Sequence, residues 1–214
     1  MADIIILARS GSKRIPKKNY LVELTPGQSL LSLCIKKGLR ISNKVTVSSD
    51  SELVLKLAKD EGAKTILSPY HNDDSTSVDA VLFWAQERGT TGPILLLQLT
   101  SPLVEVEEIE RAIDEFDGQP IFAASEMKRG FQIWNLNHAL FPEFQGVRSQ
   151  DLPTAFLPCG AFYITTERVL EERKSFMDGA RPFGIAEERA IDIDTPEDLE
   201  FARWKFLQTW NPEH

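Results

Sequence analysis

Five cations stand close together near the start of the chain: Arg9, Lys13, Arg14, Lys17 and Lys18. No acid lies between Asp3 and Glu23, although the 214-residue chain carries a formal net charge of -8. So local a concentration of positive charge in an acidic protein points to an anionic ligand. Ser10, Gly11 and Ser12 add small side chains and accessible backbone N–H groups, the equipment of a phosphate-cradling loop. The segment is neither a Walker A loop, which needs Gly-Lys followed by Ser or Thr, nor a Gly-x-Gly-x-x-Gly turn. Far along the chain, Asp192 and Asp194 form a second constellation. Two residues apart in an alternating apolar and acidic segment, they point to one face of a strand. Their spacing leaves two uses open. Such a pair holds Mg²⁺, which takes oxygen ligands and keeps several waters while bridging phosphates. It also serves as negative charge at the N-terminus of a following helix, where that charge is favourable.

The elements that must position these groups alternate between two periods. Residues 4–8 are an apolar run of the length of one buried strand, and strand becomes loop at Ala8 or Arg9. A turn at Thr25-Pro26-Gly27-Gln28 precedes a helix capped by Ser29 and running toward Leu39. Residues 44–50 read as a strand and 52–61 as a helix stopped by Gly62. A short strand at 64–67 is followed by the polar run 71–76, which leads into a helix over 77–88. Residues 94–98 are the most hydrophobic strand, apolar on both faces as the centre of a helix-covered parallel sheet requires. A helix over 106–116 and a strand over 120–126 follow. The rhythm breaks between Met127 and Phe156, a stretch that reads as an arm reaching a partner subunit. It resumes with a strand at 161–165, a short helix at 167–173 and a strand at 190–194. Thr195 is then an N-cap with Pro196 at the first helical position. The pattern predicts a three-layer Rossmann-like α/β fold with a mainly parallel sheet, formed by one domain over 1–214 with an arm at 127–158. In such sheets ligands bind outside the carboxyl ends of the strands, where Arg9, Asp50 and Gln98 all fall.

Composition excludes several classes. No apolar run approaches the length of a membrane span, and the chain starts in a strand instead of a signal peptide, so a cytoplasmic protein is expected. Two cysteines, Cys34 and Cys159, are too few for a disulfide framework or a zinc site. The three histidines are scattered. A sequence pI of about 5.0 argues against nucleic acid as a partner.

The segment Ala8-Arg9-Ser10-Gly11-Ser12-Lys13-Arg14-Ile15-Pro16-Lys17-Lys18-Asn19 resembles the nucleotide-binding signature of the acylneuraminate cytidylyltransferases. These enzymes make CMP-sialic acids, and their relatives activate pseudaminic and legionaminic acids. Ile191-Asp192-Ile193-Asp194-Thr195-Pro196-Glu197-Asp198-Leu199 is similar to the acidic motif near that family's C-terminus. Val47-Ser48-Ser49-Asp50, Leu96-Leu97-Gln98-Leu99-Thr100-Ser101-Pro102-Leu103, Arg148-Ser149-Gln150-Asp151-Leu152-Pro153 and Gly160-Ala161-Phe162-Tyr163-Ile164 extend the resemblance in the family's order. It runs from residue 4 to residue 199.

The resemblance implies transfer of CMP from CTP to the anomeric hydroxyl of a nine-carbon acidic sugar, with release of pyrophosphate. It implies that Arg9, Ser12, Lys13 and Lys18 hold the triphosphate, with Ala8, Ser10, Gly11, Asn19 and Ser77 also on the nucleotide. Asp192 and Asp194 would bind Mg²⁺, and Arg9, Lys18 and Asp194 would carry the catalysis. Gln98, Arg148 and Tyr163 would meet the sugar acid; a guanidinium such as that of Arg148 pairs bidentately with a carboxylate. A homodimer is implied, with the arm of one subunit reaching the other's sugar site. Leu99 stands where the family usually has proline, Cys159 where it has asparagine, and Ser68 where arginine is common. An octulosonate-activating enzyme and a non-catalytic nucleotide-binding subunit are the alternatives. A metal-dependent glycosyltransferase is disfavoured by the basic signature.

Overall fold

The computed structural model describes residues 2–12, 14–127 and 139–209. Lys13, Phe131, Trp134 and His138 lie outside the described residues. The chain folds around a strand of three consecutive isoleucines, Ile4, Ile5 and Ile6, each fully buried. A strand apolar on both faces must be covered on both. Asp3–Leu7 (β1) accordingly pairs in parallel with Val45–Ser49 (β4) on one side and with Ile94–Leu97 (β6) on the other. Lys64–Leu67 (β5) continues the sheet beyond β4. On the other side Ala155–Thr165 (β8) is antiparallel to both β6 and Ile121–Met127 (β7), and Arg181–Ile185 (β9) closes the edge in parallel with β7. The order is β5-β4-β1-β6-β8-β7-β9. From β1 the chain builds outward through β4 and β5, then returns to place β6 on the opposite flank of β1. That reversal opens a crevice at the carboxyl ends of β1 and β6, the place where open α/β sheets bind ligands.

Helices cover both faces. Leu30–Ile41 (α2), Glu52–Asp60 (α3) and Val106–Asp114 (α5) supply Leu31, Ile35, Val54 and Ile109 to one core, against Ile4, Ile6, Val47, Leu97 and Phe162 of the sheet. Ser77–Arg88 (α4) and Glu167–Arg173 (α6) cover the other face, where Val81, Trp84 and Leu170 meet Ile5 and Leu96. A third, smaller cluster joins Ile15 after β1, Leu24 of Glu23–Thr25 (β2), Leu30 of α2, Ile193, and Leu199 of Pro196–Thr209 (α7). β2 pairs with Gln28–Ser29 (β3) as a small hairpin across the expected Pro26-Gly27 turn.

Two elements differ from the sequence pattern. Residues 190–194 join no sheet; a hydrogen bond from the Ile193 N–H to the Thr100 carbonyl at 2.8 Å docks them beside the end of β6. The alternation that mimics a strand arises because Ile193 is driven into the small core while Asp192 and Asp194 face the crevice. The last sheet strand is instead β9. Its Pro182 and Gly184 read as breakers, yet an edge strand tolerates both. The antiparallel β8 begins earlier than its apolar end suggests and carries a register irregularity against β7.

Ser29 caps α2 by accepting the Ser32 N–H on its hydroxyl at 3.1 Å. Ser29→Ala is expected to cost about 1 kcal/mol. Urea unfolding should show a lower midpoint with an unchanged slope.

Candidate nucleotide-binding site

Beyond β1 the chain cannot stay apolar, because its carboxyl end opens into the crevice. Ala8 remains buried, with its carbonyl accepting the Ser49 hydroxyl at 2.6 Å. Asp50, at the end of β4, accepts both the Ser10 N–H at 2.7 Å and the Ser10 hydroxyl at 2.9 Å. Burial would raise the Asp50 carboxyl, but these hydrogen bonds outweigh it and hold the group below its ordinary range. The Asn19 amide nitrogen donates to the Arg9 carbonyl at 2.9 Å. Ala8, Ser10 and Asn19 thus frame the basic loop, and the frame leaves Arg9 exposed.

The loop then turns inward. Ile15 plugs into the small core, Lys17 adopts a left-handed conformation at φ 57°, and Lys18 begins the one-turn helix Lys18–Leu21 (α1). Lys18 is 8% exposed. Its Nζ donates to the Ile193 carbonyl and lies 3.4 Å from Asp194 Oδ1. Arg14 Nη1 reaches Asp194 Oδ2 at 2.7 Å. The basic loop and the acidic segment, 176 residues apart for Lys18 and Asp194, are thereby joined across the crevice. Burial alone would raise the Asp194 carboxyl, but the hydrogen bonds and charges of Arg14 and Lys18 depress it. Asp192 behaves oppositely: burial pushes its carboxyl up, a hydrogen bond from Thr100 opposes this, and the Asp194 charge adds to the rise.

Supporting contacts fix the acidic segment from behind. Arg189 forms a bidentate pair with the buried Glu108 of α5, at 2.8 Å from Nη2 and 3.1 Å from Nε. Glu108 also accepts the Glu105 N–H, so the residue that caps α5 anchors the turn before Asp192. Asp198 caps α7 by accepting the Asp194 N–H at 3.0 Å, the Thr195 N–H at 2.8 Å and the Thr195 hydroxyl at 2.9 Å. Gly160 of β8, at φ 74°, lets the backbone pass so near that an added Cβ would lie 3.9 Å from Asp192 Oδ2.

The resulting cleft has a volume of about 370 Å³. It brings together Arg9, Ser12, Lys18, Asn19, Ser77, Gln98, Asp192 and Asp194 of the sequence-derived candidates. Ala8, Ser10 and Gly11 are not part of its lining, and Lys13 lies outside the described residues. Tyr163 is half-buried and is not part of this lining; its ring lies 5.1 Å from that of Phe176. Burial raises its phenol, with Cys159 and Asp192 adding to the rise. Arg148 is exposed at a single 3₁₀ turn and pairs with Asp151 at 2.7 Å, away from this cleft lining.

Arg14, one of the five cations of the basic patch but given no individual role from the sequence, lines the cleft, and sequence reasoning missed the wall formed by Tyr70, His71, Asn72, Ser75 and Thr76. The signal was available: this polar run follows the carboxyl end of β5, just as the basic loop follows β1. Ser68, buried, organises that wall by donating its N–H to the Ser49 carbonyl and accepting the Tyr70 N–H. His71 Nε2 lies 2.9 Å from the Ser48 hydroxyl. Thr76 and Asp79 form a reciprocal capping box at the start of α4, so the positive end of that helix faces the cleft.

A crevice at a topological switch point, with a basic loop and a helix N-terminus opposite two carboxylates, defines a nucleotide-handling α/β protein. The cytidylyltransferase family model matches residues 4–141, and the chain belongs to that family. A pseudaminic acid cytidylyltransferase of Campylobacter jejuni is 33% identical over 221 residues, covering 93% of this chain and 93% of the relative. An N-acylneuraminate cytidylyltransferase of Streptococcus agalactiae is 28% identical, and its match spans 91% of this chain and 51% of that longer protein. Among solved structures, a CMP:2-keto-3-deoxy-manno-octonic acid synthetase complexed with CTP superimposes with a TM-score of 0.74 at 18% identity, covering 98% of this chain and 99% of that one. This last likeness is one of fold.

His71 is held below its ordinary value of 6.5, chiefly by burial and further by Arg9, with Asp50 opposing. The unfolded chain therefore takes up the proton first as pH falls, so His71 contributes stability that is present above the ordinary value and lost below it. His71→Gln is expected to flatten the fall in melting temperature between about pH 7 and pH 5. Thermal unfolding of both proteins across that range checks this, with the neighbouring Asp50 and Asp194 carboxyls held below their ordinary range.

Proposed function

We propose that the chain transfers CMP from CTP to the anomeric hydroxyl of a nonulosonic acid and releases pyrophosphate. The observation that carries this reading is the gathering of Arg9, Lys18 and the Asp192/Asp194 pair in one cleft of a chain that matches a pseudaminic acid cytidylyltransferase along nearly its whole length. The N-acylneuraminate relatives support the same class of acidic sugar.

Arg9, Ser12, Lys18 and the N-terminus of α4 at Ser77 hold the triphosphate, with Lys13 as a further cation of the loop. The Ala8, Ser10 and Asn19 frame keeps that loop in shape around the nucleoside, with Gly11 leaving backbone N–H groups accessible. As the sugar hydroxyl attacks the α-phosphorus, negative charge grows on the phosphate oxygens and on the departing pyrophosphate. Cations already fixed at that place stabilise the charge without reorganising. Arg14, with a largely exposed side chain, is free to exchange its Asp194 partner for a phosphate.

The donor set also fits Mg²⁺. Asp192 and Asp194 present carboxylate oxygens to the cleft, and a carboxylate raised by burial and a like-charged neighbour, as Asp192 is, gains from a cation beside it. Among the described residues there is no group of three or more His, Cys, Asp or Glu arranged to hold a metal. Mg²⁺ takes one or two protein carboxylates together with substrate phosphates and waters. When bound, Mg²⁺ would neutralise phosphate charge and help align the α-phosphate for attack.

Gln98, which lines the cleft, and Tyr163, which does not, are assigned to the sugar. Arg148 serves as the carboxylate clamp of a neighbouring subunit's site. This assigns the region 127–158 as the arm of a homodimer. The exposed Leu140, Phe156 and Leu157 give it an apolar surface to bury. A cytoplasmic location suits an enzyme that draws on CTP and keeps Cys34 and Cys159 as free thiols. Among the described residues no helix is long and apolar enough to cross a membrane.

Pyrophosphate release should require CTP, Mg²⁺ and one member of a panel of pseudaminic, legionaminic, N-acetylneuraminic and octulosonic acids, with ATP, GTP and UTP inactive. Asp194→Ala is expected to abolish this turnover while far-ultraviolet circular dichroism stays unchanged. Full activity of that variant would refute the metal assignment, and octulosonate preference would refute the substrate class.

A further inference from the structure

The wall of the cleft that follows β5, residues 68–77, contains neither lysine nor arginine. His71 is its one side chain able to carry positive charge. Ser68, at the start of this wall, is buried and spent on the backbone of Ser49 and Tyr70, so it offers the cleft nothing. His71 lines the cleft and stands among groups that the nucleotide reading gives to the triphosphate. Arg9 acts on its ring from the loop after β1, and Ser77, at the positive end of α4, lines the same cleft.

The ring is anchored on one side only. Nε2 lies 2.9 Å from the hydroxyl of Ser48, which is fully buried at the end of β4. Nδ1 has no hydrogen-bond partner among the described residues. The Ser48 hydroxyl serves either protonation state, because it donates to Nε2 of a neutral ring and accepts from the Nε2–H of an imidazolium. In both states Nδ1 then carries a proton to donate. The charged groups acting on the ring from neighbouring elements oppose each other: Asp50 at the end of β4 favours the proton, whereas Arg9 disfavours it and burial tips the balance toward the neutral form. A triphosphate bound on Arg9 would cancel the opposing charge and add negative charge of its own, which reverses that balance.

We propose that His71 is a further triphosphate-binding residue of the cleft, donating from Nδ1 to a phosphate oxygen of CTP and taking up a proton from solvent as the nucleotide binds. This rests on the assignment of the cleft to CTP and adds to it a residue outside the basic loop and a dependence of CTP affinity on pH.

The imidazole reports its own proton. The chain has three histidines, and in the full protein with ¹³C-labelled histidine the His71 ring resonance is assigned by its loss in His71→Gln. Its titration midpoint is then read on the parent chain, with no sugar present, alone, with saturating CTP and with saturating cytidine at matched ionic strength. CTP is expected to raise the midpoint by about one pH unit, and cytidine to leave it where it was. By linkage the same proton strengthens CTP binding as pH falls. Calorimetry should therefore give the parent and His71→Gln similar CTP affinities at pH 8 and a gap of about 2–5-fold at pH 6. Comparing the two proteins cancels the titration of the nucleotide's own phosphate. Glutamine keeps a hydrogen-bonding end for Ser48, which separates loss of the charge from loss of the packing. A midpoint unmoved by CTP that calorimetry shows to be bound, an equal rise with cytidine, or a parent-to-variant ratio constant across pH would each overturn the proposal and leave the assignment of the cleft standing. Absence of CTP binding to the parent would overturn both.

Discussion

Everything in the cleft depends on Lys18. A lysine ammonium removed from water must find acceptors, and this one finds the Ile193 carbonyl and the Asp194 carboxylate. The same contacts tie the loop after the first strand to the segment before the last helix. Neither segment belongs to the sheet. Each hangs on an apolar residue, Ile15 or Ile193, in one small core beside the main one. The apolar pair sets their distance, and the lysine sets their register. Arg14, at 2.7 Å from Asp194, adds a second tie between the positive and negative walls of the cleft.

This arrangement has a cost that explains its chemistry. Asp194 is satisfied by Arg14 and Lys18, whereas Asp192 is left with its carboxyl raised by burial and by its neighbour. A strained carboxylate beside a satisfied one is poised to gain from an added cation. Arg14 and Arg9 are the exposed cations of a site whose frame of Ala8, Ser10, Asp50 and Asn19 is fixed by short hydrogen bonds. Cations held around a fixed backbone frame suit a reaction in which charge must be met as it migrates from substrate to leaving group.

The parts legible in the sequence were those dictated by period and local chemistry. The buried isoleucines of β1, the caps at Ser29 and Thr195, and the helix over 77–88 each carry a signal that tertiary contacts reinforce. The placement of Arg9 and Gln98 in one cleft followed from their position at the ends of β1 and β6, since the switch point is a property of topology, whereas the placement of Lys18 and Asp194 there was pointed to by the resemblance alone. What stayed hidden was decided by long-range contacts. Residues 190–194 alternate like a strand because Ile193 is buried while Asp192 and Asp194 face the cleft, not because a neighbouring strand pairs with them. β9 carries proline and glycine that only an edge position excuses. The wall from Tyr70 to Thr76, with His71 against Ser48, is a polar loop whose proximity to the basic loop no local pattern reveals.

The account rests on Lys18 serving the triphosphate as well as joining the two walls. The most direct measurement is calorimetric titration of Lys18→Met with CTP and with cytidine, beside the parent protein. Loss of a charge-assisted contact worth about 2 kcal/mol should weaken CTP at least ~30-fold. Cytidine, which offers no phosphate, should bind as before. Unchanged CTP affinity in a folded Lys18→Met variant would contradict the account.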